Sequence, residues 1–374
     1  MADDLTHPYN RCKSFVVHWP GHYLSSPTDC WLIQCDVGQM VTIDDLTDDD
    51  LLAIFDFYVA EHQGLLDFIF NIGRWRRETE SWQSLVHVCR RWRGLVFASP
   101  RRLNLRLCCR PVTSARISSN VWPALPLLIH GGGFSVDNVI AELEHSDRIR
   151  QIQIYIYPFT TREIEKLWTA MQVPFPELTV LHLGNEVSSY VPVLTDSFLC
   201  GSAPRLRFLT LRSIPFPGIP KLLLSATHLV QLHLYEIPHS GYFLPEAMAA
   251  CLSALTSLEF LQLGFESPQS CPDLETQPPF LPTRFILPTL AEFSFKGASE
   301  YLEEFVARID APQVYQLSIA FFNDIDFNTS ELIQFISRTP MLRVYDMARF
   351  IFDGRQAQVS LNLGLSHLTI EWSK

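Results

Sequence analysis

The sequence predicts an α/β chain in which a short helical region precedes an irregular solenoid. Strand-plus-helix units would stack in that solenoid with a parallel sheet on the concave face. Three observations predict it. A pattern Leu-x-x-Leu-x-Leu recurs from about residue 148 onward. Proline stands two residues before the leading apolar residue in five copies, at Pro176, Pro204, Pro288, Pro312 and Pro340. Upstream of residue 100, two stretches carry apolar residues at helical spacing.

The first 43 residues read as a loosely ordered extension. They hold Cys12, His18, His22, Cys30 and Cys35, residue types that ligate zinc, but no Cys-x-x-Cys pair, so no metal is expected. The first helix is expected over 45–58. Thr47 and Asp50 have the spacing of a capping box, and Asp48, Asp49 and Asp50 suit a positive helix N-terminus. Leu51, Leu52, Ile54, Phe55 and Tyr58 give its apolar face. An insert at about 60–81 carries Leu65-Leu66-Asp67-Phe68-Ile69-Phe70 and then Arg74-Trp75-Arg76-Arg77. A second helix is expected over 82–96, with Leu85, Val88, Cys89, Trp92, Leu95 and Val96 on one face. Cys89 beside Trp92 then reads as a buried structural thiol.

Val88-Cys89-Arg90-Arg91-Trp92 resembles the Val-Cys-x-x-Trp core of an F-box. The stretch from Asp45 to Tyr58 is similar to the first half of that box, Leu-Pro-x-x-(Leu/Val)-Leu-x-x-Ile-Phe. Thr47 stands where the family has Pro, and the link between the halves is longer. Phe97 to Leu107 and Trp122-Pro123-Ala124-Leu125-Pro126 resemble stretches of basidiomycete fungal F-box proteins. The resemblance implies a domain over 44–110 that docks a Skp-type adaptor, and through it a cullin, by way of Leu46, Leu51, Ile54, Phe55, Val88, Cys89 and Trp92. The chain would then be the substrate-recognition subunit of a ubiquitin ligase. The alternative is a repeat scaffold whose degenerate box has no ligase role.

Residues 111–147 read as a link or cap, with a loop expected at His130-Gly131-Gly132-Gly133. The repeats follow over 148–374. Clear copies begin at Leu178, Leu206, Leu229 and Leu258, and weaker ones at Ile149, Leu290, Val314 and Leu342. Steps of 23 to 32 residues match leucine-rich repeats. Proline fixes φ and cannot extend a preceding helix, so it punctuates each strand start. Helix faces are expected at Ile164/Leu167/Trp168/Met171, at Met248/Cys251/Leu252/Leu255, at Leu302/Phe305/Val306/Ile309 and at Leu332/Phe335/Ile336. One or two further strands are expected at 359–363 and 368–370.

Strand side chains alternate. If the leucines point inward, the concave face is lined by Val180, His182, Phe208, Thr210, Arg212, Gln231, His233, Tyr235, Phe260, Gln262, Glu292, Ser294, Lys296, Gln316, Ser318, Val344 and Asp346. Phe208, Tyr235 and Phe260 beside Arg212, His233 and Gln262 have the composition of a protein-binding hot spot, so these six are the candidate substrate contacts.

Composition excludes several classes. No apolar run approaches the ~18 residues of a membrane helix, and no basic-then-apolar secretory start is present. Nine scattered cysteines suggest no disulfide framework and a reducing compartment, cytoplasm or nucleus. The net charge of −11 argues against nucleic acid as a partner, although residues 74–110 hold ten Arg against two acids. That +8 leaves −19 elsewhere and suits an acidic protein partner. His130-Gly131-Gly132-Gly133 has no Gly-x-Ser-x-Gly elbow to serve. With no phosphate loop or dinucleotide fingerprint either, neither an enzyme nor a cofactor is expected.

Overall fold

The computed structural model describes residues 43–62, 81–103, 105–109, 125–131, 135–185, 191–267, 284–321 and 330–342. It also describes the backbone of three strands between 347 and 373. The chain divides into two units, 1–47 and 48–374. In the first, Ile43–Asp45 forms a single 3-10 turn and Leu46 is half-buried. Cys12, His18, His22, Cys30 and Cys35 lie outside the described residues, as do 63–80 of the insert.

The second unit opens with three helices, α1 (Asp48–His62), α2 (Ser81–Val86) and α3 (Arg90–Ala98). The helix expected over 82–96 is therefore two. Cys89 has extended backbone (φ −155°, ψ 173°) and caps α3, its sulfur accepting from Trp92 N at 3.5 Å. The break turns Val88 outward, 47% exposed, and Cys89 is exposed rather than buried. Leu51, Phe55 and Val59 of α1 pack with Trp82, Leu85, Val86, Trp92 and Val96 in a closed core. The Trp82 indole donates to Arg106 O at 3.0 Å and so ties the helices to the first strand.

That strand begins a large sheet. β1 (Leu107–Cys109), β2 (Leu127–Gly131), β3 (Ile149–Tyr155), β4 (Val180–Gly184), β5 (Phe208–Arg212), β6 (Gln231–Ile237) and β7 (Phe260–Phe265) pair in parallel and in chain order. A two-strand side sheet follows from β8 (Phe285–Ile286) and β10 (Ile309–Asp310). The main sheet continues with β9 (Glu292–Gly297) and β11 (Gln316–Phe321). Helices fill most of the crossovers: α4 (Val136–Leu143), α5 (Thr161–Ala170), α6 (Ile219–Leu223), α7 (Pro245–Leu252), α8 (Ser299–Ala307) and α9 (Ser330–Arg338).

The register is that of the repeat. Ile152, Leu181, Leu209, Leu232, Leu261, Phe293 and Leu317 pair in one row, and Ile154, Leu183, Leu211, Leu234, Leu263, Phe295 and Ile319 in the next. All fourteen are buried, each stabilising by roughly 1.5–3 kcal/mol. The prolines have a more specific task than stopping a helix. Leu178, Leu206, Val314 and Leu342 each donate their N–H to the carbonyl three residues earlier, of Phe175, Ala203, Ala311 and Thr339. This closes a β-turn with Pro176, Pro204, Pro312 or Pro340 at its second position, where a fixed φ is already correct. Leu229 and Leu258 close the same turn without proline.

The expected helix faces hold in the main, although Met171 and Leu255 fall just past their helix ends and Ile336 is only half-buried. Ile164, Leu167, Trp168 and Met171 are buried, as are Met248, Cys251, Leu252 and Leu255, and Leu332 and Phe335. Ile309 lies in β10 and not on α8. The stretch expected as link or cap carries β2 and α4, and His130 and Gly131 sit in β2 rather than in a loop. The copy at Leu342-Tyr345-Met347 does not join the ladder. β11 pairs instead with β14 (Ser366–Ser373), which pairs antiparallel with β13 (Gln356–Leu363), and β13 with β12 (Met347–Asp353). Met347 thus begins the outermost strand of an antiparallel end. Val344 and Asp346 lie outside the described residues. Among the described residues no helix is long and apolar enough to cross a membrane.

Candidate functional site

Alternation puts the leucines in the core and the residues between them on the opposite, open face of the sheet. Five strand neighbours form one row there: His130, Gln153, His182, Thr210 and His233, with Gln262 next. Histidine therefore recurs on alternate strands, β2, β4 and β6. Beside this row lie Tyr155, Gly184, Arg212 and Tyr235 on one side and Val180, Phe208, Gln231 and Phe260 on the other.

Neighbouring rings cover the row. The Tyr155 and His182 rings are 5.3 Å apart, and His233 stacks on Phe260 at 4.4 Å and 26°. His233 is 3% exposed, and Nδ1 lies 3.1 Å from Gln262 Oε1. Nδ1–H donates there. A neutral imidazole has one N–H, so Nε2 must accept. It stands 3.4 Å from the Gln231 carboxamide oxygen, and turning that carboxamide over presents its N–H to the ring.

Burial sets the electrostatics. It pushes His182 down to about 4, with repulsion from His233, His130 and Arg212 adding to it. Burial also lowers His233, against the hydrogen bond it donates to Gln262, and raises the Tyr235 phenol. At neutral pH these imidazoles are uncharged hydrogen-bonding rings. Charge enters at the strand ends. Arg212 Nε donates to Glu236 Oε2 at 2.9 Å and Nη2 to Oε1 at 3.3 Å. Ser213 Oγ donates to the same carboxylate at 2.9 Å. The Arg212 bond holds Glu236 below the usual carboxylate range. Ser213 (φ 53°) and Glu236 (φ 55°) are both left-handed non-glycine residues, a cost that tends to gather at functional sites.

All six candidate contacts lie on this open face: Phe208, Arg212, His233, Tyr235, Phe260 and Gln262. His233 is buried beneath its neighbours and the other five are partly exposed. Tyr155, Gln153 and His130 belong to the same rows and are absent from the set expected from sequence. The signal for two of them is present, since Gln153 and Tyr155 alternate with Ile152 and Ile154. His130 is harder to find because β2 has only the pattern Leu127-Ile129-Gly131.

The candidate docking residues divide differently. Leu51, Phe55 and Trp92 are at most 5% exposed and form the interior of the helical region. Ile54 is half-buried, and Val88 and Cys89 are exposed. Leu46 belongs to the other unit, where it is half-buried. Arg91 bonds Asp48 at 2.8 Å across α1 and α3.

Other chemistry is sparse. No group of three His, Cys, Asp or Glu among the described residues could hold a metal ion. A groove of about 610 Å³ runs along the strand-start edge, lined by Thr179, Arg207, His228 and Glu259 among others. Comparison with family models, curated proteins and solved structures finds no match to this chain.

Proposed function

We propose that the chain is a substrate-recognition adaptor of a Skp–cullin–F-box ubiquitin ligase. In this reading the ladder is a leucine-rich-repeat solenoid whose concave, open face holds a protein substrate. The helical region, through Ile54, Val88 and Cys89 on its outside, docks a Skp-type adaptor. Leu51, Phe55 and Trp92 support that surface from within.

The observation that carries the reading is the open face itself. Uncharged imidazoles, phenols and carboxamides held by each other in register suit recognition of a partner's surface. Aromatic and arginine side chains of this kind dominate protein interfaces. Tethering a substrate beside the transfer machinery raises its effective concentration.

A second reading has its own support. Burial of Leu51, Phe55 and Trp92 withdraws three of the seven expected docking residues from the surface, which favours an interaction scaffold without a ligase role. Co-purification of the full chain with a Skp-type adaptor separates the two. The ligase reading expects a stable complex that the Val88→Asp variant, at an exposed side chain, loses without a change in melting temperature. A folded chain that captures no adaptor leaves the scaffold.

A further inference from the structure

The two ends of the main sheet differ. At one end β1 (Leu107–Cys109) is three residues long. At the other, β12 (Met347–Asp353) runs for seven residues as Met-Ala-Arg-Phe-Ile-Phe-Asp. It pairs with β13 along its whole length without a bulge, and among the described residues only that one side of it is paired. A strand of this length at a sheet edge offers a row of backbone donors and acceptors to another strand. Brevity, lysine, proline and bulges commonly blunt such edges, and β12 has none of them.

Alternation carries the two faces of the sheet out to this edge. Ile319 pairs with Ile370, Ile370 with Val359 and Val359 with Phe350, so Phe350 stands in a row with a core position. Ala348 and Phe352 share its face. Ser318, Thr369, Ser360 and Arg349 form the adjacent row, on the open face. Ile351 and Asp353 follow Arg349 there at a spacing of two. β12 therefore places a cation, an apolar residue and an anion in order on one face, with Ile351 at the centre.

That order is its own complement. Two copies joined edge to edge with their strands antiparallel are related by a two-fold axis perpendicular to the sheet. Such an axis keeps each face on its own side, so it passes through one residue of β12 and its twin. Through Ile351 it sets Arg349 opposite Asp353 of the second copy, twice, and Phe350 opposite Phe352, twice. Through Phe350 it would set Arg349 opposite Ile351, and through Arg349 it would set two cations opposite each other. Opposite charges and aromatic pairs directly across strands stabilise, and like charges destabilise. Of the axes through β12, the one at Ile351 alone pairs both charges. We propose that a second copy of this chain pairs with the outer side of β12, antiparallel and centred on Ile351, joining the two main sheets into one. The inference is independent of the ligase reading. A single strand pair is smaller than a permanent interface, so the dimer is expected to be reversible and concentration-dependent.

Sedimentation equilibrium of the full chain over a range of concentrations tests it. The parent is expected to dimerise. Arg349→Asp and Asp353→Arg are each expected to weaken the dimer about tenfold or more, because each sets like charges opposite at two places. The two variants mixed in equal amounts are expected to regain the parental affinity as a heterodimer, and so is Arg349→Asp/Asp353→Arg by itself. In Ile351→Cys the twin Cα atoms would stand about 4.5–5.5 Å apart, within reach of a disulfide. Mild oxidation of that variant is expected to give a covalent dimer that the parent and Arg349→Cys do not give. Should the charge variants fail to fold, this cross-link carries the test. A chain that stays monomeric, whether or not a peptide of another protein binds it, overturns the proposal. So does a dimer indifferent to both charge variants, or a mixture of the folded variants that stays monomeric.

Discussion

The rings of Phe55 and Trp92 stand 4.7 Å apart at 59°, joining α1 to α3. They are 0% and 5% exposed, so the pair is the interior of the helical region. Phe55→Ala and Trp92→Ala are each expected to cost roughly 3–5 kcal/mol. The double variant should lose less than the sum by about 1 kcal/mol, the worth of the ring contact itself. Denaturant unfolding of the four proteins measures this, and additive losses would show that the rings do not cooperate. Trp92→Ala is consequently a poor probe of docking, because it removes the support of the surface along with any contact.

Much of the ladder was legible because leucine spacing reports burial directly. Leu181, Leu209, Leu232 and Leu261 pair as their shared pattern implies. The losses have specific causes. The 82–96 pattern keeps helical period through His87, Val88 and Cys89, yet the cap geometry of Cys89 interrupts it. Periodicity counts apolar residues and does not sense a backbone that turns. Leu342-Tyr345-Met347 resembles a repeat, but β14 takes the place beside β11, a competition between distant segments that local spacing cannot express. On the open face, alternation names the residues of β4 to β7 but says nothing of how deeply His233 lies beneath its neighbours.

Two glycines should respond oppositely to alanine. A Cβ at Gly94, inside α3, meets nothing within 4 Å. Gly94→Ala is expected to stabilise by about 0.5–1 kcal/mol through helix propensity and reduced unfolded-state freedom. At Gly241 the Cβ would fall 2.9 Å from Pro215 Cα and 3.1 Å from Phe216 N, backbone atoms that cannot swing away. Gly241→Ala is expected to cost roughly 1–3 kcal/mol. Thermal melts of both variants check the signs, and a neutral Gly241→Ala would mean that the loop yields.

Stability should fall as the solution is acidified through the histidine range. His182 is held near 4 against an ordinary value of 6.5, so below 6.5 the unfolded chain takes up a proton that the folded chain refuses. The loss begins near pH 6.5, grows as pH drops, and ends once the folded form also protonates near 4. At about 1.4 kcal/mol per unit the ceiling for this residue is about 3 kcal/mol, less where water reaches the ring. Burial of His233 works in the same direction. Unfolding free energies between pH 7 and 4 are expected to slope more gently in His182→Asn, and an unchanged slope would assign the effect to other groups.

The turn before β5 places three consecutive residues in the left-handed region: Leu199 (φ 52°), Cys200 (φ 55°) and Gly201 (φ 68°). Only the last is free of a Cβ penalty, which is about 1–2 kcal/mol for other residues. The backbone is pinned there by Leu199 N to Met171 O at 2.9 Å and Ser202 N to Leu199 O at 3.1 Å. Burial then decides what relief is worth. Cys200 is exposed, so Cys200→Gly gives up almost no packing. It is expected to stabilise by about 0.5–1 kcal/mol after the greater freedom of glycine in the unfolded chain is subtracted. Leu199 is fully buried, so Leu199→Gly relieves the same strain yet forfeits a core side chain, with a net loss of about 2 kcal/mol or more. Cys200→Val, which adds a branched Cβ at the same φ, should melt below the parent. The order Cys200→Gly, parent, Cys200→Val, Leu199→Gly in melting temperature is the expected result, and a Cys200→Gly variant that melts below the parent would show that this turn is not strained.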